Sequence, residues 1–162
     1  MDLQKAQYQA RGFNFGRGEN MSNNDSGNGQ WPVGPLVTLP APFEDMRGVI
    51  QTLVDGGIHS IQVITSKAGT VRANHYHRTD SHHMYVIKGT MKYFHRPAGD
   101  TSAPSWVYVK EGQMVFSPPR VEHAVEFIED SVFLNITGKP RDQGSYEDDL
   151  VRVDLHKPFI PA

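Results

Sequence analysis

The sequence predicts an all-β sandwich or barrel, on three observations. Fifteen glycines and eleven prolines in 162 residues demand many turns. No segment after residue 45 keeps apolar side chains at a helical period through three turns. Short runs of alternating apolar and polar residues recur between Gly, Pro and Asp punctuation. The length fits one domain, large enough to bury roughly two-thirds of its unfolded surface.

Taken in order, residues 1–30 are polar and rich in Gly and Asn, and are expected to form a flexible N-terminal arm. Phe13 and Phe15 could pin that arm to a partner subunit. Gly16-Arg17-Gly18-Glu19 can be encoded by a purine-rich run resembling a bacterial ribosome-binding site, which makes Met21 a candidate natural start in a bacterial or phage gene. Mass spectrometry of the native N-terminus tests this, and a product beginning at Met1 would refute it. WPVGPLVTLPAPF, residues 31–43, is a proline-broken extended segment. Strands are expected near 48–54, 58–65, 71–77, 82–88, 90–96, 105–110, 113–117, 122–127, 131–137 and 149–155, so that residues 31–162 make a single domain. Their breaks are Asp55-Gly56-Gly57, Ala68-Gly69, Gly89, Pro97-Ala98-Gly99-Asp100, Glu111-Gly112, Pro118-Pro119 and Gly138-Lys139-Pro140.

Composition narrows the function. A formal net charge of -2 gives no support for a nucleic-acid or membrane-surface partner. No run approaches the roughly twenty apolar residues of a membrane span, and no signal-peptide core is present, so a cytoplasmic location is expected. Without cysteine, any metal must bind through nitrogen and oxygen.

Four of the eight histidines fall within residues 75–83. Strand alternation puts His75 and His77 on one face, with Val71 and Ala73, and sends Arg72, Asn74 and Tyr76 to the other. The turn Arg78-Thr79-Asp80-Ser81 folds His82 back beside His77, and alternation excludes His83. Around His123, Glu122 and Glu126 are expected to seek water, which turns His123 inward with Val125 and Phe127. A single inward histidine is usually a hydrogen-bonded core residue. Several converging imidazoles each need a partner, and a divalent cation would satisfy all of them together.

The stretch from Gly69 through His75 and His77 to Gly89 resembles the first motif of the cupin superfamily. Gly112, Pro118 and His123 match the second. The resemblance covers about residues 45–155 and implies the double-stranded β-helix, a jelly-roll barrel. It departs from the family at His82, where relatives carry glutamate, at Arg120, where they carry glycine, and at Phe127, where they carry asparagine. It thereby implies a four-histidine metal site of His75, His77, His82 and His123. Imidazole ligands suit Fe, Mn, Ni, Cu or Zn. Two open positions on such a metal would take a small oxygen-rich molecule in dioxygenase- or isomerase-type chemistry.

A second resemblance lies within the same superfamily. Asp45-x-Arg47-Gly48 and the Arg72 to His75 spacing are similar to segments of dTDP-4-keto-6-deoxy-sugar epimerases and ketoisomerases, as is the late segment 130–153. This resemblance implies a metal-free isomerase with His75 as general base and Arg72 holding the nucleotide-sugar. No tyrosine follows His123 where that family keeps its general acid, and Tyr76, Tyr85 and Tyr146 are the substitutes on offer. A non-catalytic carbohydrate- or metabolite-binding barrel is the third reading. A homodimer is expected, because cupins commonly pair through sheet faces or swapped strands.

Overall fold

The computed structural model describes residues 34–157. The N-terminal arm and Met21 lie outside the described residues. Eleven strands follow: β1 (Phe43–Asp45), β2 (Gly48–Ile50), β3 (Ser60–Ser66), β4 (Val71–His77), β5 (His82–Lys88), β6 (Thr90–Pro97), β7 (Ser105–Lys110), β8 (Met114–Ser117), β9 (Val121–Phe127), β10 (Ser131–Thr137) and β11 (Leu150–Arg152). One helix, α1 (Gln143–Asp149), precedes β11. The expected strand at 48–54 is instead the return arm of a short hairpin, β1–β2. The expected strand at 149–155 is shortened to β11: α1 takes Asp149, and the ladder with β4 ends at Arg152.

Apart from the β1–β2 hairpin, the strands form two antiparallel sheets, in the orders β3-β10-β5-β8 and β11-β4-β9-β6-β7. Side chains alternate across each strand, so each sheet turns one apolar face to the other. Val86, Val115 and Phe133 from the first sheet join Met91, Tyr93, Val109 and Phe127 from the second in one buried cluster. This is the fold class that turn content and alternation predict. At the edge of the first sheet, Pro35 and Val37 hydrogen-bond along β8. A smaller cluster of Phe94, Ala124 and Leu155 lies on the other face of the second sheet, with Val71, Trp106 and Val153 packed against it.

The β4 strand is not regular. Arg72 pairs with Val125 and Ala73 with Ala124, but His75, not Asn74, pairs with His123. Asn74 is therefore the extra residue of a β-bulge. Ala73 and Asn74 reach it with φ of 68° and 56°, a left-handed conformation that L residues adopt at a cost. The bulge overturns the expected facing of this strand. Arg72 lies on the same inner side as His75 and His77, whereas Val71 packs into the outer Phe94 cluster.

Two turn positions explain motif residues. Gly89 joins β5 to β6 with φ of 95°, and a Cβ there would meet Ser131 Oγ at 2.4 Å and Ser131 Cα at 2.9 Å. Only glycine fits that approach. Arg120 stands where the motif expects glycine and keeps the glycine-like conformation, with φ of 58°. Its amide donates to the His77 carbonyl at 2.7 Å, which ties the β8–β9 turn to the end of β4.

Candidate functional site

A cavity of about 280 Å³ opens between the two sheets. One wall carries His75 and His77 from β4 and His123 from β9, and His82 joins them from β5. The facing wall is built by Gln62 and Ile64 of β3, Met84 of β5, and Phe133 and Asn135 of β10. Arg72, Arg141 and Tyr146 complete the lining. A second cavity of about 260 Å³ adjoins it and shares His77, Arg141 and Tyr146 with the first.

The four imidazoles form a closed circuit. Ring centroids lie 4.7 Å apart for His75 and His123, 4.9 Å for His75 and His77, 5.3 Å for His77 and His82, and 4.9 Å for His82 and His123. All four Nε2 atoms are buried without a hydrogen-bond partner. Burial is the first cause that keeps these rings neutral, and mutual repulsion and the Arg141 charge add to it. His75 is lowered to about 2, His77 to about 4 and His123 to about 3, and His82 is held well below its ordinary value.

Neutral imidazoles have two tautomers, and the partners of Nδ1 assign them. His77 Nδ1 lies 3.2 Å from Asp149 Oδ2, and a carboxylate only accepts, so His77 donates from Nδ1 and keeps its Nε2 lone pair. His123 Nδ1 donates to the Val121 carbonyl at 3.1 Å, with Ser117 Oγ at 3.0 Å, and is assigned likewise. His82 is reversed. Its Nδ1 faces Arg141 at 3.3 Å, and a guanidinium only donates, so His82 accepts there and carries its hydrogen on Nε2. Two opposite imidazole polarities therefore meet in one cavity.

Each is backed by a charged group. Burial works to raise Asp149, but hydrogen bonds from the Thr79 hydroxyl and the Thr79 and Asp80 amides outweigh it, and the carboxyl stays below its usual range. At neutral pH the His77–Asp149 contact is thus a charge-assisted hydrogen bond and not an ion pair. Asp149 also makes His77 the least depressed of His75, His77 and His123. Arg141 is fixed by Asp80, 3.1 Å away, and lies over the Tyr146 ring at 4.9 Å. Burial raises Tyr146, so its hydroxyl stays protonated. Its ring stands 5.7 Å from His77 and 6.4 Å from His75.

The structure gathers His75, His77, His82, His123 and Arg72 at one cavity. Arg72 is braced there by Ser66 Oγ at 2.7 Å and the Thr65 carbonyl at 3.1 Å. Tyr76 is not brought in. It stands between His75 and His77 on a strand that alternates again after the bulge, so it faces the other way and is absent from the lining. His83 packs its ring against Phe116, 4.6 Å away. Glu122 is buried, not solvated, and pairs with Arg96 at 2.7 Å. His123 thus faces inward for a reason other than the one the sequence offered. Arg141, Asp149 and Asp80 carry no sequence signal of their own, since they meet the histidines only through the path of the chain around α1. Among the described residues no group of three or more His, Asp or Glu side chains stands ready to hold a metal ion as placed. No helix among them is long and apolar enough to cross a membrane.

No family model matches the sequence, and no curated protein matches it. Solved structures do. A mutant of the sugar 3,4-ketoisomerase from Thermoanaerobacterium thermosaccharolyticum, in complex with TDP-4-keto-6-deoxyglucose, is 14% identical with a TM-score of 0.58, over 72% of this chain and 85% of that one. The dTDP-4-dehydrorhamnose 3,5-epimerase of Sulfolobus tokodaii is 19% identical with a TM-score of 0.53, over 66% and 71% of the chains. The capsular polysaccharide assembling protein CapF of Staphylococcus aureus is 22% identical with a TM-score of 0.55, over 74% of this chain and 32% of that one. At these identities the likeness shows the fold: this chain folds as a cupin jelly roll of the kind those sugar ketoisomerases and epimerases share.

Proposed function

We propose that the chain is an isomerase-type enzyme that moves a proton next to a ketone in a small, oxygen-rich sugar, with a nucleotide-linked keto-sugar as the favoured substrate. The observation that carries this reading is the opposite polarity of His77 and His82 in one buried cavity. Isomerisation beside a ketone needs a base for the proton on carbon and a donor for the oxygen that gains charge. His77 offers a free Nε2 lone pair, and Asp149 stabilises the imidazolium it becomes. His82 offers an Nε2 hydrogen whose polarity Arg141 enforces. A neutral imidazole polarising a carbonyl has precedent as a catalytic device. Tyr146 is the second donor within reach, and a protonated phenol can return a proton to carbon. This moves the base from His75, which the sequence pointed to, to His77.

The test is exchange of solvent deuterium into TDP-4-keto-6-deoxyglucose, followed by proton NMR. Deuterium should enter beside the ketone with the wild type and fail to enter with His77→Gln. No exchange by the wild type would overturn the reading.

The second reading is a divalent transition metal, Fe, Mn, Ni, Cu or Zn, and the four unpartnered Nε2 atoms favour it. The donor chemistry fits. His75, His77 and His123 would hold the ion, and His82 would complete the set only by moving its hydrogen to Nδ1 and giving up Arg141. The metal would supply Lewis-acid polarisation of the ketone. Elemental analysis of protein purified without a metal column separates the readings, and so does His82→Gln. That variant loses metal affinity if His82 is a ligand and keeps much of its exchange activity if it is a hydrogen-bond donor. A homodimer belongs to the proposal too. It is supported by the exposed apolar side chains of Phe43, Met46, Val49 and Ile50 on the β1–β2 hairpin and of Ile61 and Val63 on edge strand β3.

A further inference from the structure

We infer that the wall facing the histidines is a hydroxyl-recognition subsite centred on Asn135, which requires a substrate bearing a free hydroxyl away from the reacting carbonyl. The inference rests on the keto-sugar reading and assigns the recognition of that sugar.

Asn135 is on the inward face of β10, two residues after the core side chain Phe133. Between Ile64, Met84 and Phe133 an aliphatic residue would pack without loss. Asn135 is instead a buried amide, 8% exposed, whose Oδ1 is buried with no hydrogen-bond partner. Its Nδ2 donates to Gln62 Oε1 at 3.2 Å across the β10–β3 pair. A buried acceptor left unpaired bears the full penalty of its lost hydration, and the apolar neighbours offer no donor to offset it. A ligand hydroxyl entering the cavity would.

The acceptor is neutral, and the cavity already holds two guanidinium groups, Arg72 and Arg141. An ammonium group would meet their repulsion, while a hydroxyl would not. Arg141 adds a complementary group, because its Nε is also buried without a partner on the same cavity. An unpaired acceptor and an unpaired donor in one cavity match the hydroxyl and oxo groups of a sugar. Sites built to hydrogen-bond a substrate hydroxyl reject analogues that lack it far more strongly than apolar pockets reject a lost methylene.

The test uses Asn135→Leu, which has the same branching and number of heavy atoms, with titration calorimetry against TDP-4-keto-6-deoxyglucose and against TDP alone. The keto-sugar nucleotide should bind about tenfold or more weakly to the variant, with TDP affinity unchanged. The Tm of the free variant should equal or exceed that of the wild type, because an unpaired group has been removed from the interior. Equal keto-sugar affinity in variant and wild type overturns the subsite and leaves the isomerase reading standing. A wild type that binds no keto-sugar overturns both. A lower free-protein Tm with affinity intact makes Asn135 a structural residue and also refutes the inference. If Asn135→Leu does not fold, the smaller Asn135→Val carries the same test: weaker keto-sugar binding with TDP affinity unchanged supports the subsite, and unchanged keto-sugar affinity overturns it.

Discussion

Asn74 and His156 hold each other by both ends of one amide: Asn74 Nδ2 donates to the His156 carbonyl at 2.8 Å, and Asn74 Oδ1 accepts from the His156 amide at 2.9 Å. The bulge residue beside the histidine wall is thereby fastened to the C-terminal segment, whose His156 ring also stacks on Phe94, 3.9 Å between centroids, and meets Glu126 at 3.0 Å. Asn74→Ala loses both hydrogen bonds and places alanine in a left-handed conformation. It should cost about 2–3 kcal/mol, whereas Asn74→Gly, which loses the bonds but fits the backbone, should cost less. Urea unfolding gives the order, and equal losses in the two variants would show that the conformation carries no strain.

Asp149→Asn should lower the exchange rate about a hundredfold or more while leaving the affinity for keto-sugar nearly unchanged, because Asp149 acts on His77 and not on the ligand. Kinetics with separate kcat and KM check this. A change confined to KM would place Asp149 in binding.

Acid should destabilise the fold well before the carboxylates protonate. His75, His77, His95 and His123 are lowered to about 2, 4, 4 and 3, chiefly by burial, and His82 moves in the same direction. As pH falls below about 6.5, the unfolded chain gains protons on these rings that the native protein refuses. Stability is therefore full above that pH and declines toward pH 4, by up to about 1.4 kcal/mol per pH unit for each ring. Thermal scans between pH 5 and 8 should show a steep Tm decline that is shallower in His95→Phe. A flat profile would mean that the rings are already charged or solvated.

The two turn positions should respond with opposite signs. Gly89→Ala combines a left-handed backbone with a clash against Ser131, and should lose at least about 3 kcal/mol. Arg120→Gly relieves a left-handed arginine and should gain up to about 1 kcal/mol, net of the added freedom of the unfolded chain. Denaturant midpoints measure both, and a loss in Arg120→Gly would mean that the arginine side chain contributes more than its backbone costs.

Most of the strands were legible because a period of two with glycine and proline breaks is a local signal, and β4, β5, β7 and β10 fall where that signal puts them. The bulge was not, since Asn74 tolerates a left-handed backbone but Ala73 before it gives no sign of one. The histidine set was legible for the same local reason: three of its members sit on β4 and the start of β5. Their tautomers were not, because Asp149 and Arg141 arrive from a polar stretch about sixty to seventy residues later. Asn135 was hidden by its strand, where an asparagine among apolar residues reads as an ordinary outward polar position.

The bulge has a consequence for how this chain tolerates length. Deleting Asn74 would leave a regular strand with the same neighbours and nearly the same composition. Arg72 would stay opposite Val125, Ala73 opposite Ala124 and His75 opposite His123, so each would keep its side of the sheet. Losing the Asn74 codon would spare the facing of that wall and remove only the tie to His156, whereas a regular strand that kept all seven residues would turn Arg72 out and Val71 in. The chemistry of that wall is therefore written in a residue count.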